Sequence, residues 1–175
     1  AQTFQDFATK HAESPWRAKA AFRLAAALAK QGKFDAAVAI YEPAALKLAS
    51  ADRRQEMADL YVKFADPAWS EAEKLATPQN ATPEDKAKAG LLYQKAAALY
   101  LKAVETGLKA DREPKIQLLI ARCQIATGQV VEAAVRLGVE KKAHPKTDVA
   151  DQVAYWLGFA HAAAGDTTNA RRAFQ

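Results

Sequence analysis

The sequence predicts an all-α protein, and three observations support this fold class. Forty-three of the 175 residues are Ala, the strongest helix former, whereas the β-branched residues Val, Ile and Thr together number only 22. Long stretches with helical apolar periodicity follow one another along the chain. Gly32, Gly128 and Gly165 each end one such stretch and are followed at once by another. This composition excludes a largely β protein and a disordered chain.

The first part of the chain contains one signal for a helix start and one for a kink within a helix. Residues 2–11 form an apolar-periodic segment that predicts a helix, and Ser14-Pro15 then reads as an N-cap followed by proline at the first helical position. Pro43 falls inside a later helical pattern, where it removes one backbone hydrogen bond and predicts a kink.

The middle of the chain is less regular. Residues 52–65 and 93–106 both have helical patterns. Asp66-Pro67 reads as a helix start, and Thr82 followed three residues later by Asp85 is close to a capping box. We therefore interpret 66–83 as an insertion that holds one short helix and a loop.

The three helix–glycine–helix segments share a common spacing of small and large residues. The matched positions are Ala25, Ala121 and Gly158 seven residues before the glycine, Ala37, Ala133 and Ala170 five after it, and Tyr41, Leu137 and Phe174 nine after it. Small residues let two antiparallel helices approach closely, and large ones fill the holes between successive pairs. Glycine supplies the left-handed conformation that turns one helix into the next.

This pattern resembles the tetratricopeptide repeat (TPR) family, whose repeat is 34 residues long. The resemblance implies a right-handed α-α superhelix, a TPR-like solenoid of antiparallel helix pairs that covers residues 1–175 as one array. Repeat arrays need polar caps, and none is visible at either end. We therefore expect this chain to be a fragment of a longer protein.

Residues 14–25 read Ser-Pro-Trp-Arg-Ala-Lys-Ala-Ala-Phe-Arg-Leu-Ala and follow Phe4 and Phe7. This segment is similar to repeats of bacterial envelope proteins. The resemblance implies a place in the bacterial periplasm or cell envelope, within a larger envelope or secreted protein.

The TPR resemblance also implies a peptide-binding groove lined by the first helix of each pair. The family's groove positions fall on Lys19, Phe22, Arg23, Lys115, Leu118, Arg122, Gln152, Tyr155 and Phe159. Basic groups interleaved with aromatic faces suit an acidic, apolar peptide. A structural alternative stays open, in which the apolar members simply pack on neighbouring helices.

Enzyme and metal signatures are absent from the sequence. There is no GxGxxG, phosphate-binding loop, HExxH or CxxC. His11, His144 and His161 are far apart, and the single Cys123 lies in an apolar helical stretch. We expect no catalysis, no cofactor and no metal. The predicted function is a non-catalytic scaffold for protein–protein interaction.

Two other functions compete with this prediction. The chain could be a structural spacer that positions flanking domains, for example ahead of macroglobulin-like domains. Nucleic-acid binding is the other alternative, since the net charge is +5. The basic residues, however, are scattered rather than gathered on one stripe. The longest uncharged apolar run, residues 153–165, is shorter than the roughly 20 residues that a membrane span needs.

Overall fold

Eight helices follow one another in the computed structural model, which describes residues 16–46, 51–78 and 81–174, apart from the side chains of 45, 46 and 51–53. They are α1 (Arg17–Lys30), α2 (Phe34–Leu46), α3 (Ala51–Ala76), α4 (Pro83–Thr106), α5 (Glu113–Ala126), α6 (Val130–Ala143), α7 (Ala150–Ala163) and α8 (Thr167–Ala173). Every regular element within these ranges is a helix, which confirms the all-α prediction. The expected helix over 2–11 and the Ser14-Pro15 cap lie outside the described residues.

The chain divides into two compact units, Ala1–Met57 and Ala58–Gln175, and the boundary falls within α3. In the first unit α1 and α2 form a helical hairpin. Gly32 joins them with a φ of +74°, and the N–H of Lys33 donates to the carbonyl of Leu28 at 3.0 Å, which closes the end of α1. The helices approach closely because alanines are buried in both, at Ala25 and Ala37.

Helix α3 departs from the interpretation of 66–83 as an insertion with a separate short helix. It runs without interruption from Ala51 to Ala76 through Pro67. A proline inside a helix costs one backbone hydrogen bond. Ala65 and Ala68, on either side of it, are both buried, so the packed face of the helix continues across the proline. Packing therefore outweighs the local signal for a helix start at Asp66-Pro67.

Helix α4 begins at the capping box that the sequence indicates. The N–H of Asp85 donates to Thr82 Oγ1 at 3.1 Å, and the N–H of Thr82 donates to Asp85 Oδ2 at 3.1 Å. The helix then continues to Thr106, so the predicted 93–106 helix is its second half. It ends at Gly107, a left-handed residue with a φ of +109°.

The remaining four helices form two hairpins that share one apolar core. The predicted turns at Gly128 and Gly165 are confirmed, with φ of +83° and +81°. The core consists of Leu118, Ala121, Ala133, Ala134, Leu137, Val149, Val153, Leu157, Ala160 and Ala173. Five of these ten residues are alanines and five are larger, a mixture that lets neighbouring helices pack closely.

The three glycines within helices of the second unit should differ in what alanine does to them. A Cβ at Gly90 or Gly138 would meet no atom within 4 Å, whereas at Gly158 it would lie 2.5 Å from the Phe174 ring. We expect Gly90→Ala and Gly138→Ala each to raise the free energy of unfolding by about 0.5–1 kcal/mol. Gly158→Ala should give no gain, because the ring must move. Urea denaturation measures all three, and equal gains would contradict the packing at Gly158.

Candidate functional site

An open cleft of about 490 Å³ lies in the second unit. Its walls are formed by Asp66, Trp69, Ser70, Tyr100, Lys115, Leu118, Leu119, Arg122, Asp148, Val149 and Gln152. These residues come mainly from α3, α5 and the start of α7, which are alternate helices along the chain. The cleft therefore runs across α3, α5 and the start of α7, with Tyr100 contributed by α4.

Arg122 on α5 contacts side chains of two other helices that line the cleft. Its guanidinium carbon lies 4.9 Å from the ring centre of Trp69 and 4.9 Å from that of Trp156. Its Nη2 donates to Glu73 Oε2 at 2.9 Å. The guanidinium thus contacts both α3 and α7, so that one residue ties together the three helices that line the cleft.

Two tyrosines of α4 also hold side chains of α3 in place. Tyr93 donates to Glu73 Oε1 at 2.7 Å, and Tyr100 donates to Asp66 Oδ1 at 2.8 Å. Burial, and the carboxylate beside each hydroxyl, raise the pKa of both phenols, so they remain hydrogen-bond donors at any physiological pH. Glu73 therefore accepts from a neutral donor of α4 and a charged donor of α5, and its position is fixed by both.

Four of the predicted groove residues lie together in this cleft. Lys115, Arg122 and Gln152 contribute polar groups to it. Leu118 also lines it but is only 3% exposed, so its main contribution is to the core.

Tyr155 and Phe159 occupy a different position from the other predicted groove residues of this unit. They lie farther along α7 than Gln152 and do not line the cleft. Their rings are exposed and contact Trp156, each with 5.5 Å between ring centres, and Tyr155 also lies 6.1 Å from Phe174. They form an aromatic cluster of α7 and α8.

The three groove positions predicted in the first unit lie on α1. Phe22 is partly buried against Tyr41, with 5.0 Å between ring centres, which fits the structural alternative of packing within the hairpin. Lys19 is exposed, and its Nζ lies 5.0 Å from the ring centre of Trp16. Arg23 is also exposed.

Sequence reasoning missed the residues that α3 and the start of α7 contribute to the cleft. Asp66, Trp69 and Ser70 fall in the stretch interpreted as an insertion, yet they form one wall. Asp148 and Val149 lie just before α7 and carry no motif. A helical reading of 66–76 as the continuation of 52–65 would have placed Trp69 on the same face as Asp66.

The single cysteine is buried, and one of the described histidines lies beside a carboxylate. Cys123 is buried, and burial raises the pKa of its thiol to about 12, so it remains protonated at neutral pH. His161 lies 3.5 Å from a carboxylate oxygen of Asp166. In the described part of the chain, no three side chains of His, Cys, Asp or Glu come together as a metal site.

Comparison of the chain with protein-family models finds no match, and neither does comparison with curated protein sequences. Among the described residues, no helix is both long enough and apolar enough to cross a membrane. The TPR resemblance therefore stays a prediction from the spacing of residues around the three glycines.

Proposed function

We propose that this chain is a non-catalytic scaffold for protein–protein interaction, built from TPR-like helix pairs stacked as a right-handed superhelix. The observation that carries the proposal is the cleft lined by the alternate helices α3, α5 and α7. A stack of helix pairs presents its first helices side by side and so creates a binding surface of this kind.

The cleft offers chemistry suited to a peptide. Its charged members are two acidic residues, Asp66 and Asp148, and two basic residues, Lys115 and Arg122. Asp66 is bonded to a tyrosine and Arg122 to a glutamate, whereas Lys115 and Asp148 form no salt bridge with any described residue. Lys115 is thus the cation available to a peptide carboxylate, and apolar anchors would contact Leu119 and Trp69, which are partly exposed.

Two buried donors strengthen this view of the cleft. Trp69 Nε1 and Arg122 Nε are buried and have no hydrogen-bond partner among the described atoms. Both residues line the cleft. A peptide carbonyl that reached either donor would supply the missing acceptor, which is favourable because an unmade buried hydrogen bond is costly.

The spacer alternative would be favoured if the chain's own 66–83 segment covered the groove, because no partner could then use it. Residues 66–76 instead belong to α3, and Asp66, Trp69 and Ser70 form a wall of the cleft rather than an occupant. The interaction scaffold is therefore the function we favour.

A selected peptide tests the proposal. We would isolate binders from a randomised peptide library displayed on phage and measure the Kd of the best synthetic peptide by fluorescence anisotropy. Lys115→Glu should weaken this binding about tenfold or more, because it replaces the available cation with a negative charge that repels the peptide carboxylate.

The matched control for this experiment is Lys109→Glu. Lys109 is exposed, lies just before α5 and does not line the cleft. Reversing its charge should therefore leave the Kd within twofold of the value for the natural chain. Equal losses for both variants would show that overall charge, not the cleft, governs binding. Failure of the library to yield any binder, or binding unaffected by Lys115→Glu, would overturn the cleft as the interaction site.

A further inference from the structure

A second groove, of about 630 Å³, lies along α5 and α6 and shares no lining residue with the cleft. Its α6 side carries Val131, Val135 and Val139, which are 61%, 65% and 63% exposed. The four-residue spacing places the three valines in one row over about two helical turns. Exposed apolar rows of this kind are unusual on a surface unless something covers them.

The charged residues of the groove have an acidic excess. Glu113, Glu132 and Glu140 line it, against a single cation, Arg136, and His144. Arg136 donates to the side-chain oxygens of two glutamines of α5, at 2.5 and 3.2 Å, rather than to a carboxylate. Among the described residues, no lysine or arginine forms a salt bridge with any of the three glutamates.

Glu140 gives an independent sign that the groove is built to receive a donor. Its side chain is only 8% exposed, and its Oε1 accepts no hydrogen bond from any described residue. His144 Nε2 lies 3.8 Å away, beyond hydrogen-bond distance. Burial raises the pKa of this carboxyl, Glu113 raises it further, and His144 opposes both. A buried acceptor without a donor is unfavourable in the isolated chain.

We propose that the groove along α5 and α6 binds an amphipathic helix of a partner protein that carries lysines or arginines beside an aliphatic stripe. The valine row would pack against the aliphatic residues, Glu132 and the partly buried Glu113 would pair with the flanking cations, and one donor of the partner would satisfy Glu140. This binding surface is separate from the cleft. Its test is therefore independent of the test of the proposed function.

A helix is the form of partner that the row favours. Rows of side chains four residues apart on one helix interdigitate with the matching rows of another helix. Partners bound in this way present anchors at positions i, i+3, i+4 and i+7. A peptide that binds by strand addition would instead need exposed strand edges, and the described part of the chain contains no strand.

The test uses a synthetic 16-residue helical peptide with leucines on one face and lysines flanking them, and a second peptide in which glutamates replace the lysines. Titration calorimetry with the full chain should detect binding of the basic peptide and none of the acidic one. The double variant Val135→Ser/Val139→Ser should weaken binding about tenfold or more, and Glu132→Lys about fivefold.

Matched controls come from exposed residues outside the groove. Leu91→Ser removes an equally exposed aliphatic side chain of α4, and Glu105→Lys reverses an exposed charge of the same helix. Both should leave the Kd within twofold, and circular dichroism checks that every variant remains folded. Equal binding of the two peptides, no binding of the basic peptide, or losses no larger than those of the controls would overturn the proposal.

Sedimentation equilibrium tests whether a second copy of the chain occupies the groove instead. The chain should be monomeric with respect to this surface, and the two serine substitutions should leave its mass unchanged. A dimer that those substitutions dissociate would assign the valine row to a second copy of the chain and overturn the proposal. The cleft variant Lys115→Glu should bind the basic peptide as the natural chain does, which separates the two surfaces.

Discussion

Arg122→Ala should lower the free energy of unfolding by about 2–3 kcal/mol, a large fraction of the stability of a domain of this size. The substitution removes two cation–π contacts, with Trp69 and Trp156, and the ion pair with Glu73. The side chains of Arg122 and Glu73 are 21% and 32% exposed, so the pair is screened less than a surface pair and more than a fully buried one. Loss of the shared guanidinium also loosens α3 from α5 and α7.

Arg112→Ala is the matched control for this prediction. Like Arg122, Arg112 is an arginine of the second unit that pairs with a carboxylate of α3, here Asp59, but the two side chains are 43% and 36% exposed. Exposed pairs contribute little, so we expect a loss of about 0.5 kcal/mol or less. Urea denaturation followed by tryptophan emission measures both variants. A loss for Arg122→Ala no larger than that for Arg112→Ala would show that the stacked guanidinium does not stabilise the unit.

Arg122→Lys separates charge from shape. Lysine keeps the positive charge near Glu73 but lacks the planar group that lies against both rings. We expect it to restore less than half of the stability lost on truncation to alanine. Restoration of full stability by lysine would mean that the ion pair alone, and not the stacking, holds the three helices.

The sequence was most informative where local chemistry decides the structure. A left-handed residue is needed at a tight turn between helices, and Gly32, Gly128 and Gly165 all have positive φ. The capping box at Thr82 depends on residues only three positions apart, and it forms. Both signals act within one turn of helix, so neither needs knowledge of distant contacts.

Local signals failed where packing at a distance outweighs them. Asp66-Pro67 has the chemistry of a helix start, yet Asp66 accepts a hydrogen bond from Tyr100, 34 residues away, and α3 continues. No nearby residue reveals that partner. The same limit explains why Trp69 was missed, since its contact with Arg122 joins residues 53 positions apart.

The cleft was only partly accessible to sequence reasoning. Lys115, Arg122 and Gln152 were placed by analogy with repeat positions, and they line it. Tyr155 and Phe159 follow the same analogy but lie in the aromatic cluster with Trp156, because α7 carries them beyond the cleft. Repeat spacing predicts which face of a helix a residue occupies, whereas the extent of a cleft depends on the side chains opposite.

Leu137→Ala should have the largest effect on stability, a loss of about 3 kcal/mol. Leu137 is completely buried in α6, where it belongs to the core that the last four helices share. Removing three carbons from a closely packed interior forfeits their transfer free energy and leaves a cavity that rigid helices fill only in part. The position is also one of the large repeat residues, nine after Gly128, so the experiment tests the packing role that the spacing predicts.

Val135→Ala on the same helix is the control for the effect of alanine itself. Val135 is 65% exposed, and we expect its truncation to change the free energy of unfolding by less than about 0.5 kcal/mol. Hydrogen exchange adds the location of the change, because amides of α5 to α8 that exchange through unfolding of this core should lose protection in Leu137→Ala and keep it in Val135→Ala. If both truncations cost the same, α6 does not pack on the shared core through Leu137, and the repeat spacing would no longer indicate which side of the helix faces its neighbours.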